Sequence, residues 1–144
     1  MADYFTEFSI VMDMSESEKR WIDRFLVLGK ALADESICET IAVKFGESRS
    51  GADHEAWFHS FGYQQSSVNA LSELLHRFLI KFDRDDVVIL QWANTCSKPR
   101  VDAFGGGAAV ISRLGIHFIN TAVWADEVSQ KVGRKLAMER AVHI

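Results

Sequence analysis

Between residues 92 and 108 the chain reads Trp92-Ala93-Asn94-Thr95-Cys96-Ser97-Lys98-Pro99-Arg100, then Phe104-Gly105-Gly106-Gly107-Ala108. An amide, a thiol, two cations and three adjacent glycines stand within a few residues of one another. Lys98 and Arg100 are the side chains that would hold a phosphate or carboxylate, helped by nearby backbone N–H groups. Glycines such as Gly105 and Gly106 let the backbone take unusual dihedrals and let another group come close. Asn94 or Cys96 would then act on the bound anion. The competing reading is a wide hairpin loop with a glycine bulge and a solvated tip. The segment is not a P-loop, because no G-x-x-x-x-G-K-[ST] occurs and the glycines precede a strand rather than a helix. The same order excludes a dinucleotide fingerprint.

A nucleophilic Cys96 needs a base, and the five histidines (His54, His59, His76, His117, His143) are all remote from it in sequence. A cysteine at a strand end otherwise serves as a small hydrophobe. Cys38 and Cys96 stand far apart without a C-x-x-C or H-x-x-x-H spacing, so no metal site is read from them. Asp83, Asp85 and Asp86 form an acidic knot at a helix end, which reads as a solvated turn. Glu55 and Glu73 have no evident carboxylate partner for acid–base work. No catalytic residue, metal or cofactor is assigned on this basis.

A second feature is an aromatic row. Trp57, His59 and Phe61 fall on one face of a strand, with Phe58 and Ser60 on the other. If helices cover the Phe58 side, the row faces outward. RNA-recognition sheets stack bases on such rows. Here the RNP signature and a basic stripe are both missing, so nucleic acid is disfavoured. Cover by the last helix with its Trp124, a second copy in a homodimer, or a protein partner are the remaining readings.

The elements that must place these residues follow from periodicity. Residues 4–13 alternate and read as a strand. Ser15 followed by Glu18 is a capping box, opening a helix over about 16–33. Residues 41–45 and 56–62 read as two strands of a hairpin around the polar loop 47–53. Ser66 or Ser67 caps a second helix with its stripe at Val68, Leu71, Leu74, Leu75, Phe78, Leu79 and Phe82. Residues 87–93 read as a central strand, 94–104 as a polar connection and 107–112 as a fifth strand, which 116–119 extend or follow. Asn120 or Thr121 caps a last helix with Trp124, Val128, Val132 and Leu136 at spacing four. The order β-α-β-β-α-β-β-α predicts an α+β fold. Its first six elements match a ferredoxin-like two-layer sandwich, extended by a fifth strand and a C-terminal helix.

At 144 residues, 48% of them apolar and 25% charged, the chain is read as a single domain over 1–144. Residues 1–55 hold 12 acids against 6 bases, and residues 56–144 hold 8 against 10. That balance disfavours a generic nucleic-acid binder and permits an acidic N-terminal face toward a basic partner. No apolar run spans a membrane, and the first residues carry no secretory signal, so a cytoplasmic protein with reduced thiols is expected.

The strings W-A-N-T-C-S-K-P-R and F-G-G-G-A, within residues 86–112, resemble a group of small bacterial proteins found on phages, plasmids and genomic islands, for which no activity is established. The resemblance implies a role on a mobile element, for example a modulator of a host or phage machine such as an inhibitor of a defence system. Taken together, the residues point to a binding protein rather than an enzyme. Trp57, His59, Phe61, Trp92, Asn94, Cys96, Lys98, Arg100, Gly105 and Gly106 are its candidate contacts, and Trp57, Phe61 and Arg100 its anchors. The alternatives are an anion-binding enzyme built on the 94–106 hairpin and a single-stranded nucleic-acid binder.

Overall fold

The structure, a computed structural model, describes residues 4–31, 41–60, 68–101 and 103–142. Phe61, Cys38, His143 and the cap expected at Ser66 or Ser67 lie outside them. The order is β1 (Tyr4–Glu7), β2 (Ser9–Met14), α1 (Glu16–Ala31), β3 (Ala42–Gly46), β4 (His54–His59), α2 (Val68–Lys81), β5 (Val88–Cys96), β6 (Gly105–Ser112), β7 (Gly115–Asn120) and α3 (Thr121–Val142). The fold is α+β with antiparallel sheets, as expected. The order expected for the first six elements is not the one observed: the first strand is two strands, and these belong to two separate antiparallel sheets.

The division falls at Phe8. Tyr4–Glu7 pairs with β5, in the register Tyr4 with Cys96 and Glu7 with Ala93, and joins a four-stranded sheet ordered β1-β5-β6-β7. Ser9–Met14 pairs with β4, Ser9 opposite His59, in a three-stranded sheet ordered β2-β4-β3. Ser60 N donates to the Phe8 carbonyl at 3.1 Å, so the second pairing begins at Phe8 itself. Past this point β2 and β5 diverge around a cleft of about 480 Å³, lined by residues 9–13 of β2 and 87–89 of the β5 end, with Arg84 and Asp86.

One side of both sheets carries the core. Ile10, Met12 and Met14 on β2 align with Phe58, Ala56 and His54 on β4. Leu90 lies opposite Ala109, and Val88 opposite Ile111. Against these residues α2 sets Leu71, Leu74, Leu75, Phe78 and Leu79, a stripe at the helical period, all essentially fully buried. From α1, Ile22 is fully buried and Trp21 packs near Phe25, Phe78 and Phe82. Both helices therefore share one layer.

Local chemistry fixes the helix ends. Ser15 N donates to Glu18 Oε1 at 2.8 Å, and Glu18 N to Ser15 Oγ at 3.2 Å, the reciprocal capping box. At the end of α2, Arg84 N donates to the Leu79 carbonyl at 3.0 Å and Asp83 N to that of Ile80 at 3.2 Å. Asp83 takes φ 48°, the left-handed residue of a Schellman stop. The Arg84 guanidinium then makes two bonds to Asp86, at 2.8 and 2.7 Å, one to Glu18 at 3.0 Å and one to the Asp13 carbonyl at 2.9 Å. The acidic knot is thus more than a solvated turn. Asp86 is held by Arg84, and Asp83 and Asp85 face Arg113.

Two further expectations are corrected. The polar run Asn94–Cys96 is strand rather than loop, because β1 supplies it with a backbone partner. Gly105–Gly107 are strand too, paired with Asn94, Ala93 and Trp92. A side chain at Gly107 would collide with the Trp92 ring and the Ile119 carbonyl, and one at Gly106 with the Trp92 carbonyl. Close approach, rather than a bulge, is what these glycines permit. Residues 115–120 form a separate seventh strand.

Candidate binding surface

The side of the three-stranded sheet away from the helices is a grid of alternate residues. Its central row is Val11, Trp57 and Lys44, its upper row Ser9, His59 and Ala42, and its lower row Asp13, Glu55 and Gly46. The orientation follows from Phe58 being fully buried, which turns Trp57 outward at 39% exposure, beside Val11 at 54%. Trp57 is held in place. Its indole N–H donates to Ser9 Oγ at 2.7 Å, and its ring lies 4.1 Å from that of His59 with a tilt of 30°. His59 Nδ1 donates to the Ser60 carbonyl at 3.0 Å, which leaves Nε2 as the acceptor of the neutral ring.

The lower edge of this face is acidic but satisfied. Ser50 and Ser48 donate hydroxyl hydrogen bonds to the Asp13 carboxylate, the latter at 2.7 Å, and lower its pKa. Glu55 stands 3.9 Å from Arg49. Around the corner, His54 bonds Glu16 and lowers the Glu16 pKa, while Asp53 caps the Glu16 backbone N–H at 3.1 Å.

The hairpin residues lie elsewhere. Trp92 shares the Leu90 side of β5, packs against the core, and meets Phe118 edge-on with ring centres 6.5 Å apart. Asn94 accepts from Thr6 Oγ1 at 3.2 Å. Cys96 is a half-buried free thiol at the β5 end, opposite Tyr4. Lys98 and Arg100 are exposed in the turn beyond it, where Arg100 N donates to the Lys98 carbonyl at 2.8 Å. A cleft of about 470 Å³ is lined by Gln91, Trp92, Gly105–Ala108, Ile119, Thr121 and Trp124, and by none of Asn94, Cys96, Lys98 or Arg100. Gly106 N donates to Thr121 Oγ1 at 3.0 Å, which ties that cleft to the start of α3.

The candidates therefore form two separate groups. Trp57 and His59 sit together on the outer side of one sheet. Trp92, Asn94 and Cys96 follow the inward period of the other, with Lys98 and Arg100 at its tip. Val11, Ser9 and Lys44, which complete the Trp57 surface, were not singled out from sequence. The alternation of 4–13 carried the signal for Ser9 and Val11, but only the pairing of β2 with β4 puts them beside Trp57. Among the described residues no group of three histidine, cysteine, aspartate or glutamate side chains is placed to hold a metal ion. Among them, too, no helix is long and apolar enough to cross a membrane. Comparison with protein-family models, curated proteins and solved structures returns no match.

Proposed function

We propose that the chain is a binding protein rather than an enzyme, and that the outer face around Trp57 takes a protein partner. The observation that carries this reading is a half-exposed tryptophan fixed by Ser9 and His59 on a sheet face that neither α1 nor α2 covers. Tryptophans held rigid at the centre of a patch are the usual anchors of interfaces, because little side-chain entropy is lost when the partner arrives. Polar residues rim the anchor, as expected of a non-obligate interface. Asp13 and Glu55 on the same face weigh against a nucleic-acid backbone and suit a basic partner segment.

The matching fold reading is ferredoxin-like. Taken through Phe8 as one bent strand, β1 and β2 stand between β5 and β4, with β3 outside β4 and both packed helices on one side. The resemblance within residues 86–112 adds the biological setting, a mobile-element modulator of a bacterial or phage machine working inside the cell. The test is recovery of partners from bacterial lysate by wild type, Trp57→Ala and Arg100→Ala. Trp57→Ala is expected to cut recovery at least about tenfold while the chain stays folded at the assay temperature by circular dichroism. Full recovery with Trp57→Ala, or loss with Arg100→Ala alone, overturns this surface.

A further inference from the structure

We propose that the cleft between β2 and β5 takes an extended peptide as an added strand. Both walls of this cleft are strand edges. Along β2, Ser60 N donates to the Phe8 carbonyl at 3.1 Å and Phe8 N donates to Ser60 Oγ at 3.3 Å, so the backbone groups of Phe8 face β4. The N–H and C=O groups of a strand alternate between its two edges from one residue to the next. Ile10 and Met12 therefore face β4 as well, while Val11 and Asp13 face the cleft. The Asp13 carbonyl agrees, since it accepts from Arg84 Nη1 at 2.9 Å on that side. Along β5, the Trp92 carbonyl points at Gly106 of β6, where an added Cβ would collide with it. Trp92 and Leu90 thus face β6, and Ile89 faces the cleft. β2 pairs with β4 alone, and β5 meets β1 only over residues 93–96. The N–H and C=O of Val11 and of Ile89 consequently have no strand partner among the described residues.

The open groups select the occupant. The β1–β5 register, carried on past Phe8, would set Val11 opposite Ile89, so the two walls present donors and acceptors in step. An extended chain carries donors and acceptors on both of its edges at the same repeat, and can satisfy both walls at once. Arg84 spans the mouth and keeps the walls apart. It bonds the Asp13 carbonyl on one side and, at 2.8 and 2.7 Å, the Asp86 carboxylate just before β5 on the other. The outer side is left open between the exposed side chains of Val11 and Ile89. Cross-strand neighbours of this kind favour β-branched residues in the peptide, and the need for its N–H groups excludes proline. The site shares Val11 with the Trp57 face but does not depend on that reading.

The probe is an acetylated heptapeptide of alternating valine and threonine with a lysine at each end, titrated to about 1 mM against the full chain, with amide hydrogen exchange followed by NMR. In the free chain the Val11 and Ile89 amides are expected to exchange at least about tenfold faster than those of Ile10 and Leu90, and the peptide to slow them at least about tenfold. N-methylation of its valines alone, or of its threonines alone, is expected to weaken binding at least about tenfold, because each set faces a different wall. Val11→Pro removes a cleft-facing N–H and no bond to β4, and is expected to weaken binding by a similar factor, whereas Val11→Thr retains it. Should Val11→Pro fail to fold, the N-methylated peptides still decide. Slow exchange of Val11 and Ile89 in the free monomer would mean that the walls bond each other, and overturns the inference. So does the absence of peptide binding at about 1 mM, indifference to either N-methylated set, or protection of both amides through self-association of the chain, which would make a second copy the occupant.

Discussion

Helices α2 and α3 are similar in apolar content and opposite in fate. Seven of the 14 residues of α2 are buried, and none of the 22 of α3. The difference lies in spacing. In α2 the large residues recur at alternating steps of three and four, which keeps them on one straight stripe, and a flat sheet can cover such a stripe along its length. In α3 they recur at four throughout. A strict step of four drifts around the axis by about 40° each time, so no single plane can cover it. Apolar content alone does not separate a packed helix from an exposed one; here the step between the large residues does.

The comparison can be broken at its ends. Phe78→Ala in α2 is expected to cost about 3–5 kcal/mol of unfolding free energy, the usual penalty for removing a buried aromatic. Leu136→Ala in α3 should stay within about 0.5 kcal/mol at concentrations where the chain is monomeric. Denaturant titration of both variants decides, and equal losses would show that α3 is part of the core after all.

Arg84, at the C-terminal end of α2, has no counterpart on α3. It is partly buried, joins Glu18, Asp86 and the Asp13 carbonyl, and stacks over Phe78. Replacing it by alanine is expected to cost on the order of 2–3 kcal/mol, because charged hydrogen bonds are lost and their acceptors are left behind. Its bond to Asp86 is the main cause holding the Asp86 carboxyl below the usual aspartate range. A depressed carboxyl stabilises the fold in full above its unfolded value, about 3.9, and that contribution is lost as pH falls through the lower folded value. Wild type should therefore lose more stability than Asp86→Asn on acidification below about pH 4. Parallel acid titrations would contradict the pairing.

The smallest contrast is between the two caps. Ser15→Ala is expected to lower global stability by about 1 kcal/mol, since α1 is packed into the core. Asn120→Ala should reduce helical signal by fraying α3 without moving the denaturation midpoint. A shared midpoint shift in both variants would mean that the two helices unfold as one unit.

What was legible in the sequence was mostly local. The capping box at Ser15, the α2 stripe and the cap at Asn120 depend on residues within a turn or two, and each is found where the pattern puts it. The division at Phe8 was not legible, because Tyr4 to Asp13 alternate without interruption and a strand's period does not name its neighbour. Asn94–Cys96 looked like loop because its side chains are polar, yet β1 pairs with its backbone, and tertiary pairing overrides propensity there. The outward turn of Trp57 was one of two options until Phe58 was seen to be buried. For the candidate site, alternation placed Trp57 and His59 together, but only the sheet pairing revealed that the hairpin residues belong to a different surface.

The break at Phe8 also orders assembly in time. Ser9 meets His59 across 50 positions, whereas Tyr4 meets Cys96 across 92. Closing the longer loop costs only about 0.5 kcal/mol more. During synthesis the two are far less alike, since the smaller sheet has all its strands once residue 59 has left the ribosome, while Tyr4–Glu7 must wait for a partner that has not yet been made. A growing chain would thus carry Tyr4–Glu7 unpaired until residues 93–96 have also left the ribosome.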